Sequence, residues 1–320
     1  MKTPLLIVRN QIMIVLAVLA STLFTGCKEE APAPNTVTDI VLANNDFSIL
    51  RAAVTRAGLA DALKTGTLTV FAPNDAAFIA SGFSLATVNT LDVNTLKAVL
   101  QYHVLGTTIL SSAIPTASNT EVTTLGGGKA FVTKNAGGVS VNGAKVISAD
   151  ISADNGVIHV IDRVILPPSR TLLQLAQDSP DLTFLVAALT KVIQANPTVG
   201  VTVTSVLTGT TPYTVFAPTN AAFQATPFNT IAVINAASGA TLTTLTNVLL
   251  AHVVPGRVFS TNLASGTVTT AGTAPITITV GKEGVQVRGA GNGTNNANVT
   301  AANLTATNGV VHVIDRVIIP

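Results

Sequence analysis

The residues best suited to chemistry near neutral pH are four histidines, and each lies in a block of sequence that occurs twice. His159 stands in Asn155-Gly156-Val157-Ile158-His159-Val160-Ile161-Asp162-Arg163-Val164-Ile165-Leu166-Pro167. His312 stands in Asn308-Gly309-Val310-Val311-His312-Val313-Ile314-Asp315-Arg316-Val317-Ile318-Ile319-Pro320, 153 residues later. A histidine with a nearby aspartate suggests a proton relay, His159 or His312 as base and Asp162 or Asp315 as its orienting partner. Such a relay needs a nucleophile at a defined place in both copies, and the many serines and threonines offer candidates without discriminating among them. Metal binding is poorly served too. Each copy has two histidines on separate elements, with no His-x-x-x-His, cysteine pair or Asp-rich loop. We therefore expect no catalytic residue, no metal and no cofactor. Gly126 to Gly128 is not followed by Lys-Ser/Thr and a helix, so it reads as a turn and not a phosphate loop.

The elements that position these histidines follow from spacing. The His159 and His312 blocks are β-branched runs opened by Asn-Gly and closed by Pro, too apolar for a half-exposed strand and hence central in a sheet. A period of two puts His159 and Arg163 on one face with Val157, Ile161 and Ile165, and Asp162 on the other. Charges inside such a strand are costly unless paired, so Asp162, Arg163, Asp315 and Arg316 are expected to be hydrogen-bonded or to reach the sheet edge, fixing the strand's placement. Leu96, Val99, Leu100 and His103 recur as Leu245, Val248, Leu249 and His252. That spacing places His103 and His252 on the apolar face of an amphipathic helix, as core histidines.

Further blocks complete each repeat. Thr69-Val70-Phe71-Ala72-Pro73-Asn74-Asp75-Ala76-Ala77-Phe78 returns as Thr214-Val215-Phe216-Ala217-Pro218-Thr219-Asn220-Ala221-Ala222-Phe223. It reads as a strand, an extended corner before proline, and a side-chain-capped helix. Asn142-Gly143 between apolar stretches predicts a two-residue hairpin. The distance between matched blocks grows along the chain, so every length difference is an insertion in the second repeat. Loops tolerate insertions better than framework does, and Ala195 to Thr211 is the largest of these gaps.

Of 320 residues, 48% are hydrophobic and only 10% charged, which with the repeat argues for two domains. Setting aside Lys2 and Arg9 in the first 26 residues leaves 15 basic and 15 acidic side chains. That balance, without a basic cluster, leaves no electrostatic footprint for nucleic acid. Residues 1–26 read as a secretory signal: two cations, the apolar run from Ile12 to Ala20, then small residues. Phe24-Thr25-Gly26-Cys27 resembles a bacterial lipobox, with Phe24 in place of the usual leucine. Cys27 is the only cysteine in the chain, so no internal disulfide can form and acylation explains its presence. Lys28-Glu29-Glu30 resembles the charged tag that sends some lipoproteins to the outer face of the outer membrane. Ala31 to Thr36, with Pro32 and Pro34, reads as an extended tether.

The Thr-Val-Phe-Ala-Pro blocks and the Asn-Gly-Val-(Ile/Val)-His-Val-Ile-Asp-Arg blocks, with Tyr102-His103 or Ala251-His252 between them, resemble the fasciclin domain, twice. The resemblance implies an α/β fold of α+β type, each domain a β-sandwich or wedge flanked by helices, at 37–168 and 169–320. It implies adhesion or binding of an extracellular matrix protein or polysaccharide, without enzymatic activity. Ala251 departs from the family's Tyr-His pair, which separates the two domains in any role for that pair. The expectation is a lipid-anchored, cell-surface protein of the bacterial outer membrane. A carrier of a small apolar or glycan ligand is the alternative.

Overall fold

The computed structural model describes residues 35–320; the expected leader, Cys27 and most of the tether lie outside them. Thr36, assigned above to the tether, is instead the N-cap of the first described helix, α1 (Val37–Ala43). It forms a capping box with Asp39. In chain order there follow α2 (Ser48–Ala57), β1 (Leu68–Pro73), α3 (Asp75–Ala80), α4 (Leu85–Thr90), α5 (Val93–Tyr102) and β2 (Val104–Leu105). Strands β3 (Thr120–Thr123), β4 (Lys129–Asn135), β5 (Gly138–Val141), β6 (Ala144–Ala153) and β7 (Gly156–Ile161) complete the first repeat. The second repeats this order with α6 (Leu172–Gln177), α7 (Thr183–Ala195), α8 (Pro197–Thr208), β8 (Tyr213–Pro218), α9 (Asn220–Gln224), α10 (Ile231–Ala236) and α11 (Gly239–Ala251). It ends with β9 (Val253–Pro255), β10 (Gly266–Thr269), β11 (Pro275–Gly281), β12 (Gly284–Gly289), β13 (Ala297–Ala306) and β14 (Gly309–Ile314).

Each repeat is one seven-stranded sheet, in the order β2-β1-β7-β6-β5-β4-β3 and its mirror in sequence, β10-β11-β12-β13-β14-β8-β9. The motif strands β7 and β14 are interior, parallel to β1 or β8 on one side and antiparallel to β6 or β13 on the other. Strand β6 pairs with β5 only at its start and with β7 beyond it, through two register shifts. The sheet therefore bends at β6 into a wedge. Beyond β3 the chain folds back onto β2, with Leu125 N donating to Val104 O at 2.7 Å; Ala271 N does the same to Val253 O.

Alternation along β1 and β7 divides the interior in two. Val70, Ala72, Ile158 and Val160 face the helices, while Phe71 and Ile161 face the inside of the wedge with Tyr102, Val132 and Ile165. The wedge cores of the two repeats match position by position, with one large exchange of size. Tyr102 and Ala130 in the first become Ala251 and Ile276 in the second. Gly128 follows the same logic. A Cβ there would lie 3.1 Å from the Tyr102 ring, and the second repeat, lacking that ring, carries Ala274.

Two expectations change. The Ala195 to Thr211 insertion is not a loop: residues 197–208 are helical, started by Pro197 at the first helical position and by Asn196, whose side chain accepts from Val199 N. Gly200 lets this helix approach α7, since a Cβ would lie 2.7 Å from Ile193 O. Likewise the motif strands stop at Ile161 and Ile314, so Asp162, Arg163, Asp315 and Arg316 are not charges inside a strand but occupy the bend after it. The Asn142-Gly143 hairpin forms as expected, with φ of 47° and 79° at the two turn residues and Val141 opposite Ala144.

Candidate functional site

Asn155 starts the repeated block by pinning the first helix. Its Oδ1 accepts from Val37 N at 2.8 Å and its Nδ2 donates to Leu63 O at 3.0 Å. Asn308 accepts from Leu172 N at 2.9 Å in the same way. Next, Gly156 and Gly309 pass so close to the parallel neighbour that a Cβ would lie 2.0 Å from Leu68 O or 2.1 Å from Tyr213 O. Only glycine fits there.

His159 and His312 are 1% and 0% exposed, each against the phenylalanine of the neighbouring strand: Phe71 at 5.7 Å between ring centroids, Phe216 at 5.4 Å. His159 Nδ1 accepts from Asp150 N at 3.2 Å, and its Nε2 donates to Ile109 O at 2.9 Å. His312 does the same with Asn303 N and Val258 O. Asp150 and Asn303 have φ of 59° and 64°, on the irregular part of β6 and β13. The ring thus ties the sheet's bend to the loop after β2. Burial pulls the His312 pKa down to about 4, against the pull of the Val258 carbonyl.

His103 and His252 follow the last residues of α5 and α11 and cap them. Nδ1 donates to the carbonyl four residues back, Val99 at 2.8 Å or Val248 at 2.7 Å. Nε2 accepts from Ile165 N at 3.1 Å or Ile318 N at 2.9 Å, just beyond the motif strand. Both are buried, and desolvation holds each pKa down to about 4. The motif aspartates close the wedge. Asp162 Oδ1 accepts from Lys145 N at 2.7 Å, and Asp315 takes both Asn298 N and Asn298 Nδ2 at 2.7 Å. Arg163 and Arg316 are exposed.

The relay can now be judged by geometry. The serine nearest His159 in this network is Ser111, but its hydroxyl donates to Asp150, not to the imidazole. Asp150 Oδ1 lies 3.9 Å from His159 Nδ1, and both imidazole nitrogens already have backbone partners. Ser111, Asp150 and His159 are thus joined in an order other than the serine–histidine–acid order of a hydrolase, and Asp162, the acid expected beside His159, accepts from Lys145 N instead. Among the described residues no group of three or more His, Cys, Asp or Glu could hold a metal ion.

Tyr102, 1% exposed, donates to Lys129 O at 2.7 Å and accepts from Asn142 Nδ2 at 2.8 Å. Burial raises its pKa. The Tyr102-His103 pair is therefore buried, Tyr102 inside the wedge, and not on a surface. Asp75 carries a role invisible to local reading: it caps not its own helix but α2, taking Ser48 Oγ at 2.5 Å and Ile49 N at 2.8 Å.

The fasciclin domain model matches residues 45–167 and 182–320. The chain belongs to the fasciclin domain family. It is 42% identical over 138 residues to protein sll1483 of Synechocystis, covering 42% of this chain and 74% of that protein. It is 38% identical over 151 residues to the transforming growth factor-beta-induced protein ig-h3 of Sus scrofa, covering 46% of this chain and 22% of that one. The cell surface glycolipoprotein MPB83 of Mycobacterium bovis is 32% identical over 114 residues, 35% of this chain and 49% of that one. Superposition on the solved FAS1 domain pair of the insect cell adhesion molecule Fasciclin I gives a TM-score of 0.41 at 18% identity, covering 88% of this chain and 95% of that one. The family assignment rests on the two domain matches.

The fasciclin domains meet through the loop after β9. Arg257 donates to Ala306 O, Thr307 O and Gly309 O in its own domain, while its guanidinium lies 4.4 Å from the centre of the Phe131 ring in the other. Phe259 packs beside Phe131 at 6.3 Å. Asn262 Nδ2 donates to Asn119 Oδ1 at 3.0 Å, and Asn135 Nδ2 to Thr261 O at 2.9 Å. Sequence spacing gave no sign of this seam, because its members are 100 or more residues apart.

Proposed function

We propose that this fasciclin protein is a non-enzymatic adhesion module, held at the bacterial outer membrane through acylated Cys27 and presenting its two domains to an extracellular matrix protein or polysaccharide. The observation that carries this reading is the use of all eight ring nitrogens of the four histidines inside the fold. The polar residues of the repeated blocks build scaffold, which leaves recognition to the surfaces between them. The cell-surface glycolipoprotein among the relatives is in keeping with this location. Among the described residues no helix is long and apolar enough to cross a membrane. Radiolabelled palmitate should enter the wild-type protein and not Cys27→Ser. Incorporation that survives the substitution would sink the anchor. Equal attachment of wild-type and deletion strains to matrix proteins and polysaccharides would sink the adhesive role.

A further inference from the structure

The first domain has a cavity of about 280 Å³ at the mouth of its wedge, where the loop after β2 faces β3 and β4. Phe71, Leu105 and Val132 form its buried floor, and Ile109, Ile114 and Val122 its walls. The deeper polar groups make no demand on an occupant. Thr69 Oγ1 donates to Thr107 O and accepts from Ile109 N, and both His159 nitrogens have partners. At the rim, Thr108 and Thr120 add further hydroxyls to the lining.

The second domain uses the same place differently. Arg257, Asn262 and Ile278 stand where the first has Thr108, Ala113 and Val132, and Arg257 and Asn262 face the domain seam. Phe259 there is 1% exposed, whereas its counterpart Leu110 is 45% exposed. The loop that is covered in the second domain therefore leaves the mouth open in the first.

We propose that this cavity is a binding site for a small, uncharged, largely apolar molecule, which enters past Thr108 and Ala113 and packs against Phe71. It is concave and apolar to its floor, as small-ligand sites are. An apolar cavity of about 150 Å³ binds benzene, so the present one has room for a two-ring compound. A charged ligand is excluded by the lining, which has no ionisable side chain to meet it except His159, already satisfied. The site is independent of the adhesive reading.

Indole is a suitable probe, because the protein has no tryptophan and its own emission comes from two tyrosines. Titrating indole with the full-length protein in detergent should shift indole emission to the blue with a stoichiometry of one. Ala113→Phe, at the exposed rim, and Val122→Phe, on the edge strand, should each weaken binding by about tenfold or more with the melting temperature retained. Thr204→Phe tests a second apolar groove, between α7 and α8, and should leave binding unchanged. Absence of saturable binding to the wild type overturns the proposal. So does binding that survives both cavity variants, or that is lost in Thr204→Phe.

Discussion

Acidification from pH 7.5 to 4.5 should cost the folded protein about 2–3 kcal/mol for each of His103, His252 and His312. Burial holds these three near a pKa of about 4, while an unfolded histidine takes its proton near 6.5. Between those values the unfolded chain binds the proton and the folded chain does not. Their stabilising effect is therefore fully present above pH 6.5 and is lost as pH falls toward 4. Each pH unit inside that window is worth about 1.4 kcal/mol per group, which integrates to the stated loss at pH 4.5. The structural cause is specific: a protonated ring would turn the Nε2 that accepts from Ile318 N, or from Ile165 N, into a second donor facing a donor. Urea unfolding followed by far-ultraviolet circular dichroism at half-unit pH steps measures the slope directly. The His252→Asn variant, though less stable at neutral pH, should lose about 2–3 kcal/mol less than the wild type over the same interval. Stability that stays flat from pH 7.5 to 4.5, or a variant with the wild-type slope, would refute the claim that these rings are neutral framework.

Other changes have distinct signatures. Tyr102→Phe leaves Asn142 Nδ2 without its partner inside the wedge and should cost about 1–3 kcal/mol in urea unfolding. Ala251→Tyr should destabilise by a similar amount, about 1–3 kcal/mol, because Ile276 occupies the space that the small Ala130 leaves open in the first domain. Gly156→Ala drives a Cβ to 2.0 Å from Leu68 O; it should exceed about 4 kcal/mol or prevent folding, outside the ordinary range for single substitutions. Asp315→Ala removes the acceptor for Asn298 N and Nδ2 at an exposed site and should lower the melting temperature at a cost of about 1 kcal/mol, without changing attachment to matrix polymers. A large loss of attachment at unchanged melting temperature would instead make Asp315 a binding residue.

The wedge and its helices were legible because the framework announces itself twice. Two copies of Thr-Val-Phe-Ala-Pro and of Asn-Gly-Val-x-His locate β1, β7, β8 and β14, and Asn142-Gly143 marks its hairpin through the left-handed backbone those residues tolerate. The limit of β7 is not legible in the sequence because Val164 and Ile165 continue the apolar run past Ile161, although the chain has already bent at Asp162. Helix α8 was hidden by its own composition. Val199, Val201, Thr202, Val203 and Thr204 favour strands, and the Asn196-Pro197 start together with packing against α7 through Gly200 overrides that preference. The capping of α2 by Asp75, the exchange of Tyr102 for Ile276 and the seam around Arg257 join residues distant in sequence, so no local pattern records them. The cavity follows from what is absent at Thr108, Ala113 and Val132, and small residues in a loop and a strand carry no signal until the fold encloses a space between them.

Attachment tests the central claim most directly. Cells of the native host carrying the wild-type gene, Cys27→Ala or a deletion would be measured side by side on immobilised matrix proteins and polysaccharides. A surface-anchored adhesion protein predicts that the wild type alone attaches to at least one of them, with the Cys27→Ala protein folded but released from the membrane. Attachment of the deletion strain at the wild-type level, or of Cys27→Ala cells with the protein still membrane-bound, would contradict it.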